Sequence, residues 1–177
     1  MTPTSTLLLS LLAACSRTKD AGDSAALPMT GGPYTTLALS AQRDCTMDGE
    51  PTGDPWDGEG LFPDELSLSM EEDTMLWLWT PDTTTDPPLL NSGRVELPRQ
   101  GAVYVGEDAE SWTFYADCVA SSELSLTVQP ADEREALVTM EGESRHDYSC
   151  FSEELSVMIC AISGAWRLWP PTPQTTP

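Results

Sequence analysis

Positive charge is nearly absent from this chain. One lysine, Lys19, and seven arginines stand against 29 aspartates and glutamates in 177 residues, a formal net charge of −21. That balance excludes nucleic acid as a partner, because binding phosphates needs Lys and Arg clustered on one face. It also excludes a basic helix lying on anionic lipid. Histidine occurs once, at His146. No apolar run reaches the roughly eighteen residues that cross a bilayer as a helix, and no segment of ten or more residues carries a helical apolar stripe. The sequence has no Gly-x-Ser-x-Gly elbow, no His-Glu-x-x-His and no glycine-rich phosphate loop. Hydrophobic residues still make up 40%, enough for one domain with a core. An acidic surface of this kind keeps an exported protein soluble.

What is present begins with an apolar run, Leu7 to Ala14, of the length of a signal-peptide core. It ends in Leu12-Ala13-Ala14-Cys15, after which the chain turns polar at once. That junction resembles the lipobox of bacterial lipoproteins. The resemblance covers the first fifteen residues only. It implies cleavage before Cys15, a diacylglyceryl group on its sulfur, and attachment of the mature chain to a membrane of the cell envelope. A chain held by two or more acyl groups is stably anchored, at about 0.8 kcal/mol per buried CH₂. Ser16 follows the lipidated position, which by analogy with enteric lipoproteins favours the outer membrane. One feature departs from the pattern: the leading "MTPTST" carries no Lys or Arg, where secretory leaders have a positive segment.

The leader therefore occupies residues 1–14, and residues 15–33, rich in Gly, Pro and small polar residues, read as a lipidated cysteine and flexible tether. Such a tether spans roughly 25 Å, enough to lift a domain clear of lipid head groups. The tail 170–177, "PPTPQTTP", has nothing to bury. One domain is left, residues 34–169, and its period is two. "LSLSM" puts Leu66, Leu68 and Met70 on one side; "LSLTV" does so with Leu124, Leu126 and Val128, "ALVTM" with Ala136, Val138 and Met140, and "LSVMI" with Leu155, Val157 and Ile159. Shorter runs such as "TMLWLWT", "RVEL" and "AWRLW" follow suit, separated by turn-forming "NSG", "PRQG" and "QPADE". The pattern predicts an all-β domain of about 8–10 short antiparallel strands, as a sandwich or an up-and-down barrel. Met75, Trp77 and Trp79 face one way and Leu76 and Leu78 the other, so that strand is expected to be covered on both sides.

Setting Cys15 aside leaves four cysteines, Cys45, Cys118, Cys150 and Cys160. An even number in an exported chain predicts two disulfides. Cys150 and Cys160 flank an apparent hairpin and are expected to pair, leaving Cys45 with Cys118. Zinc is the competing use, but no pair has ligand spacing.

Thirteen acidic residues and no Lys, Arg or His fall between Asp44 and Gly93. The densest part, "DCTMDGEPTGDPWDGEG", reads as a loop of some seventeen residues carrying Asp48, Glu50, Asp54, Asp57 and Glu59. Carboxylates on such a loop can wrap Ca²⁺, although their spacing is not that of an EF-hand; uncompensated, they extend the loop into solvent. Trp56 in the same loop can stack on a sugar ring. Trp77, Trp79, Trp112, Trp166 and Trp169 fall in strands and are expected to be core. His146, between Arg145 and Asp147, reads as a surface-turn residue rather than a catalytic one. These observations favour a lipid-anchored envelope domain with a non-catalytic binding or structural role, needing no cofactor and meeting an envelope protein, glycan or small ligand. Two alternatives stay open: a Ca²⁺- or carbohydrate-binding module built on the acidic loop, and an envelope hydrolase using a carboxylate pair.

Overall fold

The computed structural model describes residues 29–53, 61–80, 93–115, 118–150 and 156–171, and among these there is no helix. Nine strands form: β1 (Gly32–Met47), β2 (Glu50–Pro51), β3 (Glu65–Glu71), β4 (Thr74–Leu78), β5 (Arg94–Gln100), β6 (Val103–Tyr115), β7 (Cys118–Pro130), β8 (Ala136–Asp147) and β9 (Val157–Trp169). Sheet order is β2-β1-β3-β4-β5-β6-β7-β8-β9, and β1 also pairs with β9. Eight antiparallel strands thus close on themselves as an up-and-down barrel, with β2 as a short addition beside β1. Of the two architectures that the alternation allowed, the barrel is the one formed.

Closure rests on β1. Its first residues, Gly32 to Thr35, pair with β3, while Thr35 to Met47 run along β9, with a register shift between Ala38 and Ser40. Tight turns join the strands where residues tolerate positive φ: Asp48 and Gly49 between β1 and β2, Glu72 between β3 and β4, and Gly101 between β5 and β6. The β7–β8 turn is held by Asp132, whose Oδ1 accepts the backbone N–H groups of Arg134 and Glu135 at 2.7 and 2.8 Å.

The barrel has two unlike ends. At the end with the β3–β4, β5–β6 and β7–β8 turns, here the lower end, the interior is apolar and filled. Trp77, Tyr104, Leu68, Met75, Leu97, Leu126, Val128, Met140 and Leu168 are all fully buried there. Phe62 enters this core from the segment before β3, stacking on Trp166 at 4.8 Å and meeting Trp77 edge-on at 5.8 Å. Met29 is buried in the same cluster, and its neighbour Thr30 donates its N–H to Glu133 O, so packing begins ahead of the tether boundary read at Pro33. At the other, upper end, the longer strands β6 to β9 and the second half of β1 run on beyond β3, β4 and β5.

Several expectations need correcting. The disulfides are Cys45–Cys160 and Cys118–Cys150. Cys160 lies three residues into β9, about 10 Å below the rim, beyond the reach of Cys150 in the loop above, and it faces its register partner Cys45 across the β1–β9 seam, with Cα atoms 4.0 Å apart. The face of β9 is inverted: Met158, Cys160 and Ile162 point inward, and Val157 and Ile159 are half-buried on the outside. The stretch read as one acidic loop is, up to Pro51, strand β1, a two-residue turn and β2. β4 is covered on its outer face at Leu76, under a shallow groove lined by Glu71, Glu72, Thr74, Arg94 and Glu96, but Leu78 is exposed.

Candidate functional site

The inner wall of the upper half is polar, and strand register sets its residues out in three rows across β6, β7, β8, β9 and β1. The lowest row runs Asp108, Leu124, Gly142, Ile162, Arg43. The middle row is Glu110, Ser122, Ser144, Cys160, Cys45, and the uppermost is Trp112, Ala120, His146, Met158, Met47. Each row is a set of cross-strand neighbours roughly 5 Å apart, and rows follow at every second residue. The buried polar and charged side chains of the described residues all lie here: Arg43, Asp108, Ser122, Ser144 and His146, none more than 6% exposed.

Both disulfides belong to this end. Cys45–Cys160 sits within the middle row and locks the closing seam beside Ser144, while Cys118–Cys150 ties the start of β7 to the loop after β8. Met158, Met47 and Tyr148 pack on the first bridge. The wall therefore stays in shape without a large apolar core behind it.

His146 is not in a surface turn. It is fully buried on the inner face of β8, its ring 6.3 Å from that of Trp112 in an edge-on arrangement and 6.5 Å from that of Tyr148. Burial pushes its pKa down to about 4, and the Arg43 guanidinium adds to the effect, so the ring is neutral at physiological pH. Three groups on the wall have buried polar atoms with no hydrogen-bond partner among the described residues: Ser144 Oγ, Trp112 Nε1 and one Glu110 carboxylate oxygen. Ser144 is the clearest of these, with no exposure at all. A buried polar group left unpaired costs about 1–3 kcal/mol, so such groups are retained where water or a ligand satisfies them.

The arrangement offers donors (Arg43, Trp112, Ser144) and acceptors (Asp108, Glu110) on one concave surface. Ser144 Oγ makes no hydrogen bond to His146 or to another base among the described residues. Asp108 and Glu110 lie two residues apart on one face of β6.

Of the residues singled out in the sequence, Cys15, Asp54, Trp56, Asp57 and Glu59 lie outside the described residues. Asp48 and Glu50 are exposed at the β1–β2 hairpin, and Asp48 Oδ1 accepts the backbone N–H of Val157 at 2.9 Å, tying that turn to β9. Among the described residues no group of three or more His, Cys, Asp or Glu side chains is placed to hold a metal ion. The polar wall is hidden in the sequence when the run "ALVTM" is taken to stop at Met140. Carried on by the same period, it leads through Gly142 and Ser144 to His146, all inward.

No family model matches this chain. No curated protein matches it. Among solved structures, an auxiliary nutrient binding protein from Bacteroides thetaiotaomicron is similar at a TM-score of 0.28 and 12% identity, the alignment covering 80% of this chain and 46% of that one. A likeness of that size says nothing about what this chain binds.

Proposed function

We propose that this chain is a non-catalytic binding domain held outside the cytoplasm by lipid on Cys15, and that the polar upper half of its barrel takes a small polar ligand. The two disulfides support the compartment, because such bridges persist where the surroundings are oxidising. The residue after the anchor, Ser16, favours the outer membrane. Intact-mass analysis of protein from its native host tests the anchor: a fatty adduct on Cys15 and loss of residues 1–14 are expected, and an uncut, unmodified chain overturns it.

One observation carries the binding reading: Ser144 Oγ is wholly buried on the concave wall with no hydrogen-bond partner among the described residues, and a Glu110 carboxylate oxygen and Trp112 Nε1, two strands away on β6, are also buried and unmet. Ser144→Ala separates a hydrated, ligand-taking wall from a dry scaffold. If the hydroxyl is met by water or ligand, the change destabilises by about 1 kcal/mol; in a dry wall it stabilises by a similar amount, because an unmet polar group has gone. Melting curves are taken with millimolar calcium chloride, glucose or glutamate, which stand for a cation, a polyol and a zwitterion. A rise in melting temperature with at least one of them, lost in Ser144→Ala and Glu110→Gln, is the expected result. No shift with any of the three, together with a stabilised Ser144→Ala, reduces the domain to a scaffold.

A further inference from the structure

The outer wall carries one patch unlike the rest of this acidic molecule. Leu37 on β1, Arg167 on β9 and Leu137 on β8 are register partners in one lateral row, so two leucines flank an arginine over roughly 10 Å. Leu39, the extra residue of the β1 bulge, stands beside them. Leu37, Leu39 and Leu137 are 52, 57 and 37% exposed. Trp169, half-buried, ends the same face of β9. The outward residues next to them, Thr35, Ser40, Thr139 and Ala165, are uncharged, and acids begin one position further out, with Glu65 opposite Thr35, Glu141 opposite Ser163 and Asp44 bonded to Gln42. Arg167 is held by Glu135 at the patch edge.

The position of this patch relative to the N-terminus suggests what covers it. The described chain begins at Met29, at the lower end beside the β7–β8 turn, and enters β1 within a few residues of Leu37. The fourteen residues from Cys15 to Pro28 are the only chain between an acylated cysteine and that point. Fourteen residues reach at most about 50 Å even at full extension, so a chain acylated at Cys15 keeps the domain near the bilayer.

We infer that the face formed by Leu37, Leu39 and Leu137 around Arg167 is a membrane seat, on which the domain lies against a zwitterionic lipid surface. The inference rests on the reading of Cys15 as a lipid anchor. Seating would sink the leucines into the head-group boundary and place Trp169 where one side is apolar and the other wet.

Hydroxyl-radical footprinting of the lipidated chain in vesicles of saturated phosphatidylcholine and phosphatidylethanolamine tests the seat, with the mature chain from Ser16, free in solution beside the same vesicles, as the reference. Oxidation of Leu37, Leu39 and Leu137 is expected to fall at least about threefold on vesicles. Leu78 and Val119, 42 and 47% exposed at the upper end, are internal controls and should not change. Unchanged labelling of the three leucines, with the fatty adduct verified by intact mass, overturns the seat and leaves the anchor standing. Absence of the adduct overturns the anchor and the seat together. Protection that follows protein density at constant lipid marks a second copy as the occupant and likewise overturns the proposal.

Discussion

Replacing Cys45 and Cys160 by alanine should destabilise the barrel more than any other paired change, and the amount follows from chain connectivity. The bridge closes 115 residues, whereas Cys118–Cys150 closes 32 and lies within that larger loop. Loop-closure entropy gives about 4.8 kcal/mol for the first and about 3.7 kcal/mol for the second, each taken alone. With the inner bridge intact, 32 of the 115 residues are short-circuited, which trims the outer contribution by only about 0.3 kcal/mol. The double variant Cys45→Ala/Cys160→Ala should therefore lose about 4.5 kcal/mol, a drop of about 10–20 °C in melting temperature. Cys118→Ala/Cys150→Ala should lose about 1 kcal/mol less.

Pairing itself is read by cleaving the oxidised protein after glutamate. Cuts at Glu50, Glu110, Glu123, Glu143, Glu153 and Glu154 put the four cysteines on four peptides: the one ending at Glu50, then 111–123, 144–153 and 155–177. Without reductant, the first must travel with the last and the middle two with each other. A 144–153 peptide linked to 155–177 would refute the register of β1 against β9, and with it the closure of the barrel.

Acidification gives a second test. The folded pKa of His146 is depressed to about 4 from 6.5, so its stabilising contribution is present above pH 6.5 and is lost as pH falls towards 4. Between pH 7 and 5 that amounts to about 2 kcal/mol in urea unfolding; His146→Gln should remove the slope, and an unchanged slope counts against a buried neutral ring. Phe62→Ala should cost about 3–4 kcal/mol and lose near-ultraviolet dichroism, because it removes the ring between Trp77 and Trp166; retention of both signal and stability would place Phe62 outside the core. Gly106→Ala should destabilise by about 2–3 kcal/mol, since a Cβ there would meet Glu96 O at 2.5 Å and Leu97 Cδ2 at 2.8 Å; a neutral result in a thermal melt would mean that β5 does not cross β6 so closely.

Strand number and facing were legible wherever one face is apolar and the other polar. Leu66 and Leu68, Leu124 to Val128 and Ala136 to Met140 all point inward as their alternation requires. In "VMICAI" both faces are apolar, so the period offers no choice of side and only the register against β8 and β1 sets it. Nothing local distinguishes a barrel from a sandwich, because closure depends on residues 35–47 meeting 158–169, a contact with no short-range signal. Disulfide pairing failed for the same reason: proximity along the chain joined Cys150 to Cys160, while depth along the strands separates them. His146 was misplaced because its charged neighbours, Arg145 and Asp147, point away from the barrel interior while the ring points in.

The charge distribution connects the two ends of the molecule. On the outer wall of the upper half, Glu123 and Glu143 stand directly opposite each other on β7 and β8, with Glu107, Glu141 and Asp44 also outward on neighbouring strands. Like charges so placed destabilise the sheet by a few tenths of a kcal/mol per pair, which a barrel clamped by two bridges tolerates. On the lower half of the adjoining face, the same strands present Leu137, Ala165, Arg167 and Leu37 instead. Glu143→Lys should turn the opposed Glu123–Glu143 pair into an opposite-charge one and stabilise the barrel by a few tenths of a kcal/mol; an unchanged or lower midpoint in urea would refute the pairing of β7 with β8 at this register.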